Sequence, residues 1–173
     1  MKSPVAILRE SRWTSTTAWR QSDGPMDNLE LLADDHLVLS SQVLHVVALL
    51  GALVEGRFAA APLYSEIVRQ TDLLYVQLVE HFEFEEITAF PPLKEQFPAL
   101  APRLQTFLNQ HDRILEAFKE MRSELELGEL HLVHSNALLR TAQFESAFEQ
   151  HATAETKLFK EMANHVRERV RRE

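Results

Sequence analysis

The chain reads as an all-α protein, an up-down-up-down four-helix bundle. Three observations predict this. Four long segments repeat apolar residues at helical spacing, and none alternates as a strand does. Glycine is scarce, with four in 173 residues, while Leu, Ala, Glu and Arg are abundant. The links between segments are short, which makes consecutive helices antiparallel neighbours. The length suits one domain, and a hydrophobic content of 45% suffices for a core. Residues 1–26 read as an N-terminal arm and residues 27–173 as the bundle.

The first helix is expected from about Asp27 to Glu55, with Leu32, Leu39, Val43, Val46, Leu50 and Leu53 as its apolar stripe. Gly51, Gly56 and Pro62 surround its end. The second runs from about Leu63 to Phe90, where Pro91-Pro92 is expected to stop it. The third starts near Pro98 or Pro102, the latter suiting a first turn, and continues to about Leu127 with Gly128 as its cap. The fourth runs from about Leu130 to the end. Trp13 and Trp19 in the arm would pack on the bundle or on a partner, a homodimer being one such assembly.

A net charge of -8 argues against a nucleic-acid surface. The basic stretch Arg167 to Arg172 suits a helix C-terminus instead. Without cysteine there are no disulfides, zinc knuckles or iron–sulfur clusters, and the chain fits a reducing cytoplasm. No apolar run is expected to reach the roughly 20 residues of a membrane span.

The chemistry lies in a doubled pattern. His36 is followed 45 residues on by His81-x-x-x-Glu85, and His111 is followed 40 residues on by His151-x-x-x-Glu155. Residues four apart share one helix face, so each His–Glu pair points one way. Leu74, Leu78 and Thr88 share the His81 stripe, and Phe144, Phe148, Leu158 and Met162 share that of His151. Heights agree as well. His36 stands about 28 Å from the first turn and His81 about 27 Å up the returning helix. His81 and His111 both stand roughly 14 Å from the second turn. His111 and His151 match if the fourth helix effectively begins near His134. Two carboxylates buried in an apolar bundle are costly unless paired or bound to a cation. Imidazole nitrogens with carboxylate oxygens suit Fe, Mn or Zn. The predicted metal ligands are therefore His36, His81, Glu85, His111, His151 and Glu155.

The other histidines fall elsewhere. His45 lies opposite His36 on its helix, and His131 and His134 point away from the His151 direction. His165 shares the His151 face but lies about 21 Å further on. Glu83 and Glu86 fall off the His81 face and are expected at the solvent, with a supporting role behind a ligand still open to Glu86. Ser40, one turn from His36, would make room beside the site. Tyr64 and Tyr75 are expected to pack. Glu-x-x-His, His-Glu-x-x-His and Gly-rich phosphate loops do not occur, which sets aside ferritin-like, zincin and nucleotide-binding sites.

Glu80-His81-Phe82-Glu83-Phe84-Glu85-Glu86 followed by Phe90-Pro91 resembles the second helix of the hemerythrin-like, or HHE cation-binding, family. Gln150-His151-Ala152-Thr153-Ala154-Glu155, Asn109-Gln110-His111 and Asp34-Asp35-His36 extend the resemblance over about residues 28–165. It implies a non-haem centre of two iron ions with an oxo or hydroxo bridge, iron ranking ahead of zinc and manganese. Glu85 and Glu155 would bridge, His36 and His81 would serve one iron, and His111 and His151 the other. The oxygen carriers of the family have a further His where this chain has Leu115. The resemblance thus implies binding or sensing of a small ligand (O2, NO or peroxide) over oxygen transport. The alternatives are a di-iron oxidoreductase acting on peroxide or another oxidant, and a helical interaction module with a structural metal.

Overall fold

The computed structural model describes residues 25–56, 60–127 and 134–170. Every element among them is helical. Helix α1 is Pro25–Val54 and α2 is Ala60–Phe84. A π turn, Glu85–Ala89, leads from α2 into the short α3, Phe90–Gln96. A 3-10 turn, Pro98–Leu100, opens α4, Ala101–Leu127, and α5 is His134–Val170. Helices α1, α2, α4 and α5 pack as a square, each against its sequence neighbours, with α5 returning to α1. This is the expected up-down-up-down bundle.

Local chemistry explains the ends. Gly56 closes α1 at φ +65°, a left-handed backbone that glycine adopts without penalty. The expectation that Pro91-Pro92 ends the second helix is corrected. The π turn hands the chain to α3 at Phe90, so both prolines fall in a first turn, where no N–H is required. The π turn also corrects Thr88. One extra residue in the turn rotates the residues beyond it, so Ala89 is buried in the place expected of Thr88, which is exposed.

The apolar run is corrected too. Leu31–Val54 is long and apolar enough to cross a membrane, with mean hydropathy 2.2. From Leu37 to Val54 there is no Asp, Glu, Lys or Arg. The helix nonetheless takes a core position: Leu32, Leu39, Val43, Val46 and Leu50 are buried, and Asp35 and His36 are buried beside them.

The core forms two apolar clusters with one polar layer between. The larger holds Leu39 to Leu53, Ile67 to Phe82, Ile114 to Leu125 and Phe144 to Ala152 among its members. The smaller holds Leu32, Phe90, Leu93, Leu104, Phe107, Leu158 and Phe159. On each long helix the polar residues fall where one cluster gives way to the other. The arm up to residue 24 with Trp13 and Trp19, Gly128, His131 and Arg171–Arg172 lie outside the described residues, and of His134 only the backbone is described.

Candidate metal centre

The polar layer holds all six sequence-predicted residues. Relative exposure is 3% for His36, 1% for His81, His111 and His151, and 0% for Glu85 and Glu155. Each long helix contributes at the level counted from the sequence. The ring centres of His36 and His81 are 4.8 Å apart, as are those of His111 and His151. His36 and His151 are 6.1 Å apart. The level match of His151 rests on a helix that begins at His134, as the height argument required.

The donors form two overlapping groups. One is His36, His81, Glu85 and Glu155; the other is Glu85, His111, His151 and Glu155. Within each group one donor atom per residue lies within 4.8 Å of the rest. Both carboxylates belong to both groups. Glu85 Oε1 is 3.0 Å from His81 Nε2 and Glu85 Oε2 is 3.2 Å from His111 Nε2. Glu155 Oε2 is 3.0 Å from His151 Nε2 and 3.3 Å from His36 Nε2. Each carboxylate therefore reaches across the two halves.

Behind the rings runs a second set of contacts, one per histidine. Asp35 Oδ2 on α1 stands 3.7 Å from His81 Nδ1 on α2. Glu86 Oε1, in the π turn, lies 2.8 Å from His111 Nδ1 on α4. Gln110 Oε1 on α4 lies 3.1 Å from His151 Nδ1 on α5. Thr156 Oγ1 on α5 lies 3.0 Å from His36 Nδ1 on α1. These contacts close a ring around the bundle, each helix supporting the next one's histidine. The sequence reading missed this function for Asp35, Gln110 and Thr156, whereas Glu86 is exposed as expected and also takes the supporting role that was left open to it. The signal was available: each sits one residue from a predicted ligand, about 100° round the helix and so towards a neighbour.

Aromatic rings wall the layer. Phe82 stacks on His111 at 4.1 Å and 6°. Phe159 lies parallel to His36 at 6.4 Å, and Phe82 and Phe107 set their edges on His151 at 5.6 Å. These contacts lock ring orientation and keep water out.

The donor set fits cations. Glu86 and the Gln110 carbonyl accept from Nδ1, so in a neutral ring the inward Nε2 carries a lone pair. Such lone pairs face two carboxylates. The Nε2 atoms of His36, His111 and His151, and all four oxygens of Glu85 and Glu155, make no directed hydrogen bond despite their closeness. Buried hydroxyls elsewhere are satisfied locally, as Thr71 is by the Ile67 carbonyl at 2.7 Å and Thr141 by the Ala137 carbonyl at 2.6 Å. Two carboxylates whose oxygens lie within 4.8 Å repel by about 3.5 kcal/mol at an effective dielectric of about 20, beyond their desolvation cost. Positive charge must enter this layer, as protons on the rings or as metal ions, and the six residues could hold two ions.

The remaining sequence candidates stand apart. His45 is exposed, and His165 is exposed beside Phe97 at 5.8 Å. Glu83 is exposed. Ser40 is half-buried and lines a groove with His36. Tyr64 donates to the Leu125 carbonyl and Tyr75 stacks on Phe118, so both pack as expected.

The family model of the hemerythrin HHE cation binding domain matches residues 27–170. Neither the comparison with curated proteins nor that with solved structures returned a match.

Proposed function

The chain belongs to the hemerythrin HHE cation-binding family, and on that premise we propose that it is a non-haem di-iron protein that binds or senses a small ligand (O2, NO or peroxide). The observation that carries the reading is the pair of buried donor groups sharing Glu85 and Glu155. His36 and His81 would hold one ion, His111 and His151 the other, and the two glutamates would span both. Bound iron would supply reversible affinity for a small oxidant and one-electron exchange.

The chain's own residues do the rest. Asp35, Glu86, Gln110 and Thr156 fix the orientation of the four imidazoles. Phe82, Phe107 and Phe159 keep the layer dry, which strengthens every charge interaction within it. A groove of about 550 Å³ between α1 and α5, lined by Ser40, Ala152, Thr156 and Lys157, gives a small ligand an approach to His36. Leu115 is half-buried one turn beyond His111 and offers no donor atom, so an ion held by His111 and His151 would have one protein ligand fewer and could take one from outside.

The test is the metal content and spectrum of protein purified without added metal. Two irons per chain with ligand-to-iron bands in the near ultraviolet are expected. Zinc alone, or a colourless metal-free bundle of full stability, would refute the reading. The lack of a donor at Leu115 also favours a second reading, an oxidoreductase acting on peroxide. Steady turnover of hydrogen peroxide, abolished by His81→Ala and by Glu155→Ala, would select it.

A further inference from the structure

The ring of outer contacts divides by charge. In the half formed by His36 and His81, a carboxylate (Asp35) stands behind His81 and a neutral hydroxyl (Thr156) behind His36. In the other half a carboxylate (Glu86) stands behind His111 and a neutral amide (Gln110) behind His151. Each half therefore has one imidazole backed by a charge and one backed by a dipole. The sum is also informative. Glu85 and Glu155 inside, with Asp35 and Glu86 outside, carry four negative charges, which two divalent cations would balance with all four imidazoles neutral.

The two outer carboxylates are placed differently, Asp35 in the core and Glu86 at the rim with its side chain 42% exposed but one oxygen turned in to His111. Asp35 is 4% exposed, and its Oδ2 has no hydrogen-bond partner although it stands 3.7 Å from His81 Nδ1. A buried carboxylate so placed is costly unless it acts on something. Glu86 depends on the π turn. That widened turn sets two consecutive residues on opposite nitrogens of one ring: Glu85 Oε2 at 3.2 Å from His111 Nε2 and Glu86 Oε1 at 2.8 Å from Nδ1.

We infer that Asp35 and Glu86 are positioning residues, one for each cation, Asp35 acting through His81 and Glu86 through His111. The inference rests on the two-cation reading above. A carboxylate behind a ligating imidazole fixes its tautomer and raises its basicity, and losing such a partner lowers metal affinity about 10- to 100-fold. The two carboxylates serve different ions, so their losses fall on different equivalents of metal.

The test is a titration of the metal-free full chain with Co2+, followed by calorimetry and by cobalt absorption, with the thermal midpoint of each metal-free variant as a fold control. In Glu86→Ala one of two equivalents is expected to weaken about 10- to 100-fold while the other is unchanged. Asp35→Ala should do the same, and the double variant should weaken both equivalents. Glu86→Gln and Asp35→Asn keep an acceptor oxygen, preserve the fold and should fall between wild type and Ala. A single variant that weakens both equivalents alike, or neither, overturns the inference. So does a double variant that retains one equivalent at full affinity. A wild-type chain that takes up no second Co2+ instead overturns the two-cation reading on which the inference depends.

Discussion

Metal binding to this protein must expel protons, and pH is the perturbation that exposes it. In the metal-free layer burial opposes a charged His81, but the carboxylates of Glu85, Asp35 and Glu155 overcome it and push the ring up to about 10. His111 is raised in the same way: burial opposes, and Glu85 and Glu86 prevail. Burial likewise resists ionisation of Glu85, yet His81, His111 and His36 hold it well below the usual carboxylate range. Protons thus occupy the place that cations would take. Removing the His81 proton at pH 7 spans about three pH units, which costs about 4 kcal/mol of apparent metal affinity. Affinity for Co2+ should therefore rise about tenfold per pH unit for each proton displaced, from about pH 7 to about pH 9. Calorimetry at one pH in buffers of different protonation heat counts the protons directly. The His81 proton should be among those released as Co2+ loads. Full Co2+ binding with no proton released at pH 7 would refute the argument. The metal-free protein should show the opposite trend in stability. The contribution of His81 is complete below about 6.5, its unfolded value, and is lost as pH rises towards about 10. That of Glu85 is present above about 4.5 and is lost in acid. The metal-free melting temperature should peak between these two limits.

Glu85→Ala or Glu155→Ala should lower bound metal, read by elemental analysis, far more than His45→Ala, because His45 is exposed. Equal losses would contradict the assignment of faces. Phe82→Ala removes a ring that is 2% exposed and stacked on His111, and urea unfolding should show a loss of about 3–5 kcal/mol. A loss below about 1 kcal/mol would mean that the site collapses around the gap. Leu115→His places an imidazole one turn beyond His111 and should shift the near-ultraviolet and visible bands of the iron-loaded protein. An unchanged spectrum in a folded variant would count against His111 as a ligand.

Periodicity made much of this centre legible. His81 with Glu85, and His151 with Glu155, share faces by the four-residue rule, and rise per residue was enough to bring four histidines to one level. What failed needed more than one helix or more than one helix type. Counting 100° per residue has no place for an extra residue, so the π turn was invisible, and Thr88 and Pro91-Pro92 were misjudged with it. The outer partners depend on which helix lies beside which, so Asp35, Gln110 and Thr156 read as ordinary polar residues until the square of helices set them against their rings. In α1, Asp34 and Asp35 directly precede an uncharged stretch, so the charges before it hide how long and apolar the rest of the helix is.

The shared carboxylates also set an order of events. Glu155 belongs to both donor groups and, with His151 and Thr156, comes from α5, which follows the other three long helices in chain order. A nascent chain holding only α1, α2 and α4 would lack Glu155 from both donor groups. On the cation-binding reading, capture would thereby wait until α5 docks, and a loaded centre would report that the whole bundle has closed.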